Sequence, residues 1–187
     1  MAQPIGTVSF LFTDIQGSSS LWENHPEEMR AALERHDALM REAIENNEGY
    51  VFKTIGDAFC AAFATAPAAV SAALEAQLAL QAEPWLPETT LKVRMGLHTG
   101  AVEHRDDDYF GPPVNRVARL MSVGHGNQIL VSAATQELIR DQLPLHAELL
   151  SMGAHRLKDL ARSEEIYQVR HPDLPSHFPP LKITQQS

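Results

Sequence analysis

Apolar positions along the chain fall into two periods. Residues 6–13, "GTVSFLFT", form a strand-forming run read as a buried strand. Leu21, Leu33, Leu39, Met40 and Ile44 then recur at roughly helical spacing with charges between them. Pro26 interrupts that pattern, predicting a short helical turn, a longer helix, and a stop at Gly49. "YVFKTIGDAFCAAF" reads as a hairpin of two short strands around Thr54–Gly56, with Asp57 just after the turn. An alanine-rich helix follows in "TAPAAVSAALEAQLALQAE" and ends before the prolines at 84 and 87. "LKVRMGLHTGAVEH" reads as one long strand and "RDDDYF" as an acidic connector. "GPPVNRVARLMSVG" starts with prolines tolerated in a first helical turn and continues as a helix. A short strand "QILVS", a helix "AATQELIRDQ" and a last strand "EEIYQVR" close the pattern, with no element assigned to "HAELLSMGAHRLKDL".

The order β-α-β-β-α-β, followed by further α and β elements, predicts an α+β fold. Its expected core is a ferredoxin-like split βαβ mixed sheet with helices on one face. One domain over 1–170 and a proline-containing tail over 171–187, extended or disordered, follow from where the periodic pattern stops.

Composition narrows the function classes. The 187 residues, 44% hydrophobic and 21% charged, suit one well-cored globular domain. A single cysteine, Cys60, excludes an internal disulfide framework and fits a reducing cytoplasm. No apolar run reaches the length of a membrane span, and "MAQPIGTV" has no signal-peptide pattern. A net charge of −9 without a Lys/Arg stripe opposes nucleic-acid binding. An anionic substrate would therefore need a local positive site or metal ions.

The chemistry concentrates where strands end. Asp14 closes the first strand and Asp57 follows the hairpin turn, and a split βαβ sheet brings these elements side by side. Two carboxylates at one edge need a cation between them, and Mg²⁺ or Mn²⁺ suits oxygen ligands and phosphates. The competing reading makes Asp14 a helix cap and Asp57 a turn residue. Backbone N–H groups at Gly17, Ser18 and Ser19 open a helix and suit a phosphate chain, or serine simply caps it. His98 and Cys60 read as packing residues rather than as ligand or nucleophile.

Five segments together resemble the class III nucleotidyl cyclases, which include the adenylate cyclases. They are "FLFTDIQGSSSLW", "VFKTIGDAFCAAF", "RMGLHTGAV", "DYFGPPVNRVARLMSVGHGNQILVS" and "HRLKDLARSEEIYQV", in the family's order from residue 7 to 169. The resemblance implies that Asp14 and Asp57, with the Ile15 carbonyl, bind two divalent cations. It implies that Lys53 and Asp108 recognise adenine, Lys53 as donor and Asp108 as acceptor for the N6 amino group. Guanylate cyclases of the family typically carry Glu and a small residue such as Cys there. Asn115 and Arg119, four apart on one helix face, match the pair that orients the ribose and offsets charge on the α-phosphate. Lys158 resembles a phosphate-contacting lysine, with Arg156 as a competitor. Ala101 departs from the arginine that many members carry after "GIHSG".

The implied reaction is attack of the ATP ribose 3′-hydroxyl on its own α-phosphorus, giving 3′,5′-cyclic AMP and pyrophosphate. No side chain stands out as its general base. In the family one protomer supplies the metal aspartates and the other the base and transition-state residues. A chain holding both sets is thus expected to form a head-to-tail homodimer with two shared sites. The alternatives are a catalytically silent nucleotide-binding or regulatory module, and a guanylate cyclase.

Overall fold

The structure, a computed structural model, describes residues 3–183; the last four positions of the expected tail lie outside the described residues. Nine strands and five helices are present among them: β1 (Thr7–Ile15), α1 (Ser18–Asn24), α2 (Pro26–Asn46), β2 (Tyr50–Ile55), β3 (Ala58–Phe63), α3 (Ala66–Ala82), β4 (Val93–Ala101), β5 (Glu103–Arg105), β6 (Asp108–Phe110), α4 (Pro112–Ser122), β7 (Ile129–Ser132), α5 (Ala133–Ile139), β8 (Glu148–Arg156) and β9 (Ser163–Arg170). Seven strands form one mixed sheet in the order β2-β3-β1-β4-β7-β9-β8. Its first four strands are the predicted split arrangement, with β1 antiparallel to both β3 and β4. β4 and β7 run parallel, which is what makes the sheet mixed.

The run in β1 has apolar residues on both faces, and both faces are covered. Leu11 and Ile15 enter a core with Met29, Met40 and Ile44 of α2 and with Val70 and Leu74 of α3. Val8, Phe10 and Phe12 enter a second core with Val117 of α4, Tyr109 and Cys60. Helices on one face only was therefore the wrong expectation: α4 covers the other face, because a strand apolar on both sides must be buried on both.

α4 comes close to the sheet because β4 offers glycine where a side chain would collide. A Cβ at Gly96 would lie 2.8 Å from the Met121 backbone nitrogen, and one at Gly100 would lie 2.5 Å from Pro113 Cγ. Gly96→Ala is expected to push α4 outward and cost roughly 1–3 kcal/mol, the usual scale of overpacking, which thermal denaturation will read as a lower Tm.

Two other assignments change. The stretch read as a long strand plus connector splits into β4 and a separate β5–β6 hairpin. Its turn residues Asp106 and Asp107 have φ of 53° and 61°, the left-handed pair that a two-residue hairpin turn requires. β8 was not anticipated. It is an edge strand, mostly exposed, with a register shift between Ser151 and Ala154, so it lacks the period-two apolar signal. The tail residues 171–183 have no regular secondary structure but are packed: Leu174 lies on the main core, and Leu181 and Ile183 lie on a third cluster around Leu120, Leu157 and Ile166.

Candidate active site

Asp14, at the end of β1, lies in register opposite Arg94 of β4. Arg94 Nε donates to Asp14 Oδ1 at 2.7 Å, and a second guanidinium nitrogen donates to Oδ2. Arg94 also donates to the Ser122 carbonyl of α4 at 3.2 Å. Asp57 sits in the β2–β3 turn itself, where Oδ1 accepts the Ile15 N–H at 3.2 Å. The turn is thereby tied to the end of β1. The Asp14 hydrogen bond holds the Arg94 guanidinium more firmly charged than usual, against the effect of burial, and the charges of Asp14 and Asp57 both add to it. Asp14, Ile15 and Asp57 are thus brought to one edge, and neither aspartate is a helix cap.

These residues fit a hard divalent cation. Among the described residues no three His, Cys, Asp or Glu side chains converge, so the two carboxylates would share a cation with a backbone carbonyl, water and phosphate oxygens. Asp14 already attracts a positive group, and a metal would compete with Arg94 for it. Arg94 is the residue the sequence reading missed. Its signal was available in principle, since pairing β1 with β4 through the split topology sets Asp14 opposite it.

Lys53 of β2 meets Asp108 of β6 in an ion pair of 2.8 Å. Partial burial works against the Asp108 carboxylate, but the Lys53 contact and the Tyr109 N–H bring its pKa below the ordinary value. The neighbours of the pair in sequence, Phe52 and Tyr109, pack edge-to-face with Phe10, with the two contacts to Tyr109 at 5.4 and 4.8 Å. Tyr109 Oη donates to the Pro4 carbonyl at 2.6 Å, tying the β5–β6 hairpin to the segment before β1. Burial pushes the neighbouring Cys60 thiol up to about 11, Lys53 opposing and Asp108 adding. It is a protonated packing residue, as its position in the second core indicates.

Asn115 and Arg119 lie one turn apart on α4. Arg119 donates to Asp159 at 3.0 Å, a pair largely open to solvent. Between them Arg116 turns the other way and pairs at 2.8 Å with Glu164, whose side chain is only 8% exposed, so α4 is fixed in rotation against β9. Lys158 is exposed beside Asp159, whereas its competitor Arg156 donates to the Leu160 carbonyl at 3.0 Å. Gly17, with φ of 69°, is itself the N-cap of the seven-residue α1, and no side chain caps it. Ser18 is half-buried and Ser19 exposed, and serine capping does not start this helix.

His98 lies under α4, shares a hydrogen bond of 2.6 Å with Ser132 Oγ, and is pushed down to about 4 by burial, with Arg116 adding. It is therefore neutral in the folded chain. Below its ordinary 6.5 the unfolded chain takes up the proton first, so this contribution to stability is whole above pH 6.5 and is lost as pH falls towards 4. The loss is on the order of 3 kcal/mol. Denaturant titrations across that window should show the slope, and His98→Gln should flatten it.

Among the described residues, no hydrogen bond or ion pair joins the Asp14–Asp57 group to the Lys53–Asp108 pair. One chain thus carries two separate clusters of chemistry.

Fold and clusters define a nucleotidyl cyclase domain, and comparison with known proteins agrees. The chain belongs to the family of adenylate and guanylate cyclase catalytic domains, whose profile matches residues 1–170. An uncharacterized protein of Mycobacterium tuberculosis is 41% identical over 186 residues, covering 98% of this chain and 63% of its own length. The chain therefore spans less than two thirds of that relative. The adenylate cyclase of Schizosaccharomyces pombe is 37% identical over 158 residues, which are 71% of this chain and 9% of that protein. A solved adenylate cyclase from Trypanosoma brucei, in its monomeric state, superposes with a TM-score of 0.85 at 28% identity, over 99% of this chain and 98% of that one. An adenylyl cyclase from Pseudomonas aeruginosa superposes with a TM-score of 0.72 at 26% identity, over 91% and 97%. Among the described residues no helix is long and apolar enough to cross a membrane.

Proposed function

We propose that this chain is an adenylate cyclase, converting ATP to 3′,5′-cyclic AMP and pyrophosphate at two sites shared across a head-to-tail homodimer. The observation that carries the reading is the Lys53–Asp108 pair, a donor and an acceptor brought together at 2.8 Å. The adenine edge offers a ring-nitrogen acceptor and an N6 donor, which complement Lys53 and Asp108. Guanine's O6 would face Asp108 acceptor to acceptor, and an unpaired or repelled group in a closed site discriminates strongly.

Ring closure forms a bond from the ribose 3′-oxygen to the α-phosphorus and breaks the bond to pyrophosphate, while the hydroxyl proton passes to water. The attacker is tethered to its target, so the chain's task is to hold the closing conformer and offset charge. Asn115 orients the ribose. Arg119 leaves its solvent-open pair with Asp159, which holds it weakly, and meets the charge growing on the α-phosphate. Lys158 and the Gly17–Ser19 segment attend the outer phosphates. Asp14, Asp57 and the Ile15 carbonyl would hold two Mg²⁺ or Mn²⁺ ions. When bound, such ions acidify an attacking hydroxyl and neutralise a leaving pyrophosphate. The presence of both sets of residues in one chain supports a symmetric dimer with two shared sites.

The test is incubation of the purified protein with ATP or GTP and Mn²⁺ at concentrations where dimers form. Cyclic AMP is expected, with GTP turned over at least about tenfold more slowly. No cyclic product from either nucleotide would leave the silent module as the reading.

A further inference from the structure

The tail after β9 crosses the end of the sheet and finishes on α4, the helix that carries Asn115 and Arg119. Leu174 packs on the main core, and the Ser176 carbonyl accepts from Gln168 Nε2 at 3.1 Å. Further on, His125 Nε2 bonds the Pro180 carbonyl at 2.9 Å. The Lys182 N–H donates to the Val123 carbonyl at 2.8 Å. Val123 is the C-cap of α4, where carbonyls have no partner within the helix. On either side of that bond, Leu181 and Ile183 pack into the cluster that holds Leu120 and Val123 against Leu157 and Ile166. The segment thus reaches both sides of the sheet. It grips α4 by one backbone hydrogen bond and two apolar side chains, at the turn that follows Arg119.

The sheet side of this end of α4 is held by packing, with Leu120 fully buried and the Met121 backbone close against Gly96. Arg94 donates to the Ser122 carbonyl with the same guanidinium that serves Asp14. Arg116 and Glu164 fix rotation near the middle of the helix. The tail adds the anchor on the outer side, at the Val123 carbonyl that ends the last turn carrying Arg119. Displacement of a charged group by about 1 Å from its transition-state position can cost on the order of a hundredfold in rate.

We propose that residues 174–183 form a clamp that positions the last turn of α4, and with it Arg119, for catalysis in the partner's metal cluster. The proposal rests on the shared-site cyclase reading. Leu181 and Ile183 are positioning residues and touch no substrate.

The experiment uses two inactive variants of this chain, Asp14→Ala and Arg119→Ala, mixed to give heterodimers with one intact site. That site draws Asp14 from the Arg119→Ala chain and α4 from the Asp14→Ala chain. Leu181→Ser with Ile183→Ser is placed in one chain or the other. Placed in the Asp14→Ala chain, the lesion should lower kcat roughly tenfold with KM unchanged; placed in the Arg119→Ala chain, it should change the rate less than about twofold. Equal losses in both mixtures would mean general destabilisation and overturn the clamp. Equal retention would overturn it as well. Amide hydrogen exchange of Met121–Gly124 and Lys182 in the lesioned single proteins reads the grip without any turnover. Faster exchange there, with the rest of the sheet unchanged, is expected; no change overturns the clamp. The milder Leu181→Ala supplies both readouts if the double variant fails to fold. If the unlesioned mixture makes no cyclic AMP, the shared-site reading falls and the exchange result decides the clamp alone.

Discussion

Asp14→Ala and Arg119→Ala will each abolish cyclase activity, and mixing them will restore it. Each single loss should exceed about a hundredfold, the scale on which removal of one preorganised charge acts in a closed site. Asp14 is a carboxylate at the end of β1 whose only charged partner among the described residues is Arg94. Its removal deletes one of the two proposed carboxylate ligands and leaves Arg94 with the Ser122 carbonyl but no carboxylate. Arg119 is the cation on the last turn of α4, and its removal leaves charge on the α-phosphate unopposed. In a random mixture half of the dimers are heterodimers, each with one of two sites whole, so about a quarter of wild-type activity should return. Heterodimers that form and remain inactive would mean that each chain builds its site alone.

Lys53→Glu with Asp108→Cys should turn the nucleotide preference from ATP to GTP. The present pair presents a donor and an acceptor, the complement of adenine's edge. The swap removes the acceptor facing guanine's O6 and supplies a carboxylate for its amino and imino hydrogens. The ratio of kcat/KM for ATP over GTP should fall by roughly a hundredfold or more, because a mispaired polar group in a closed site costs its full desolvation. Asp108→Cys alone breaks the ion pair and should weaken ATP without creating GTP turnover. Steady-state kinetics with both nucleotides checks each step, and an unchanged ratio in the double variant would place base recognition elsewhere.

The fold was readable where packing leaves a periodic mark. β1 carries apolar residues on both faces, α2 repeats its apolar residues at helical spacing, and proline and glycine punctuate the elements, so the split βαβ core followed from local pattern. β8 left no such mark because an edge strand with exposed side chains carries little hydrophobic signal. The side of the sheet that α4 covers was hidden too, since it depends on Gly96 and Gly100 admitting the helix at close range.

The candidate residues divide the same way. Residue types and strand order pointed to Asp14 and Asp57, and the resemblance to class III cyclases marked Lys53, Asp108, Asn115 and Arg119. Their partners were decided only in three dimensions. Arg94 on Asp14, Asp57 on the Ile15 amide, Asp159 on Arg119 and the tail on Val123 join residues far apart in the chain. A sequence states what each group can donate, accept or charge. Which groups meet depends on strand register and helix docking, which many weak contacts set together and no local stretch encodes.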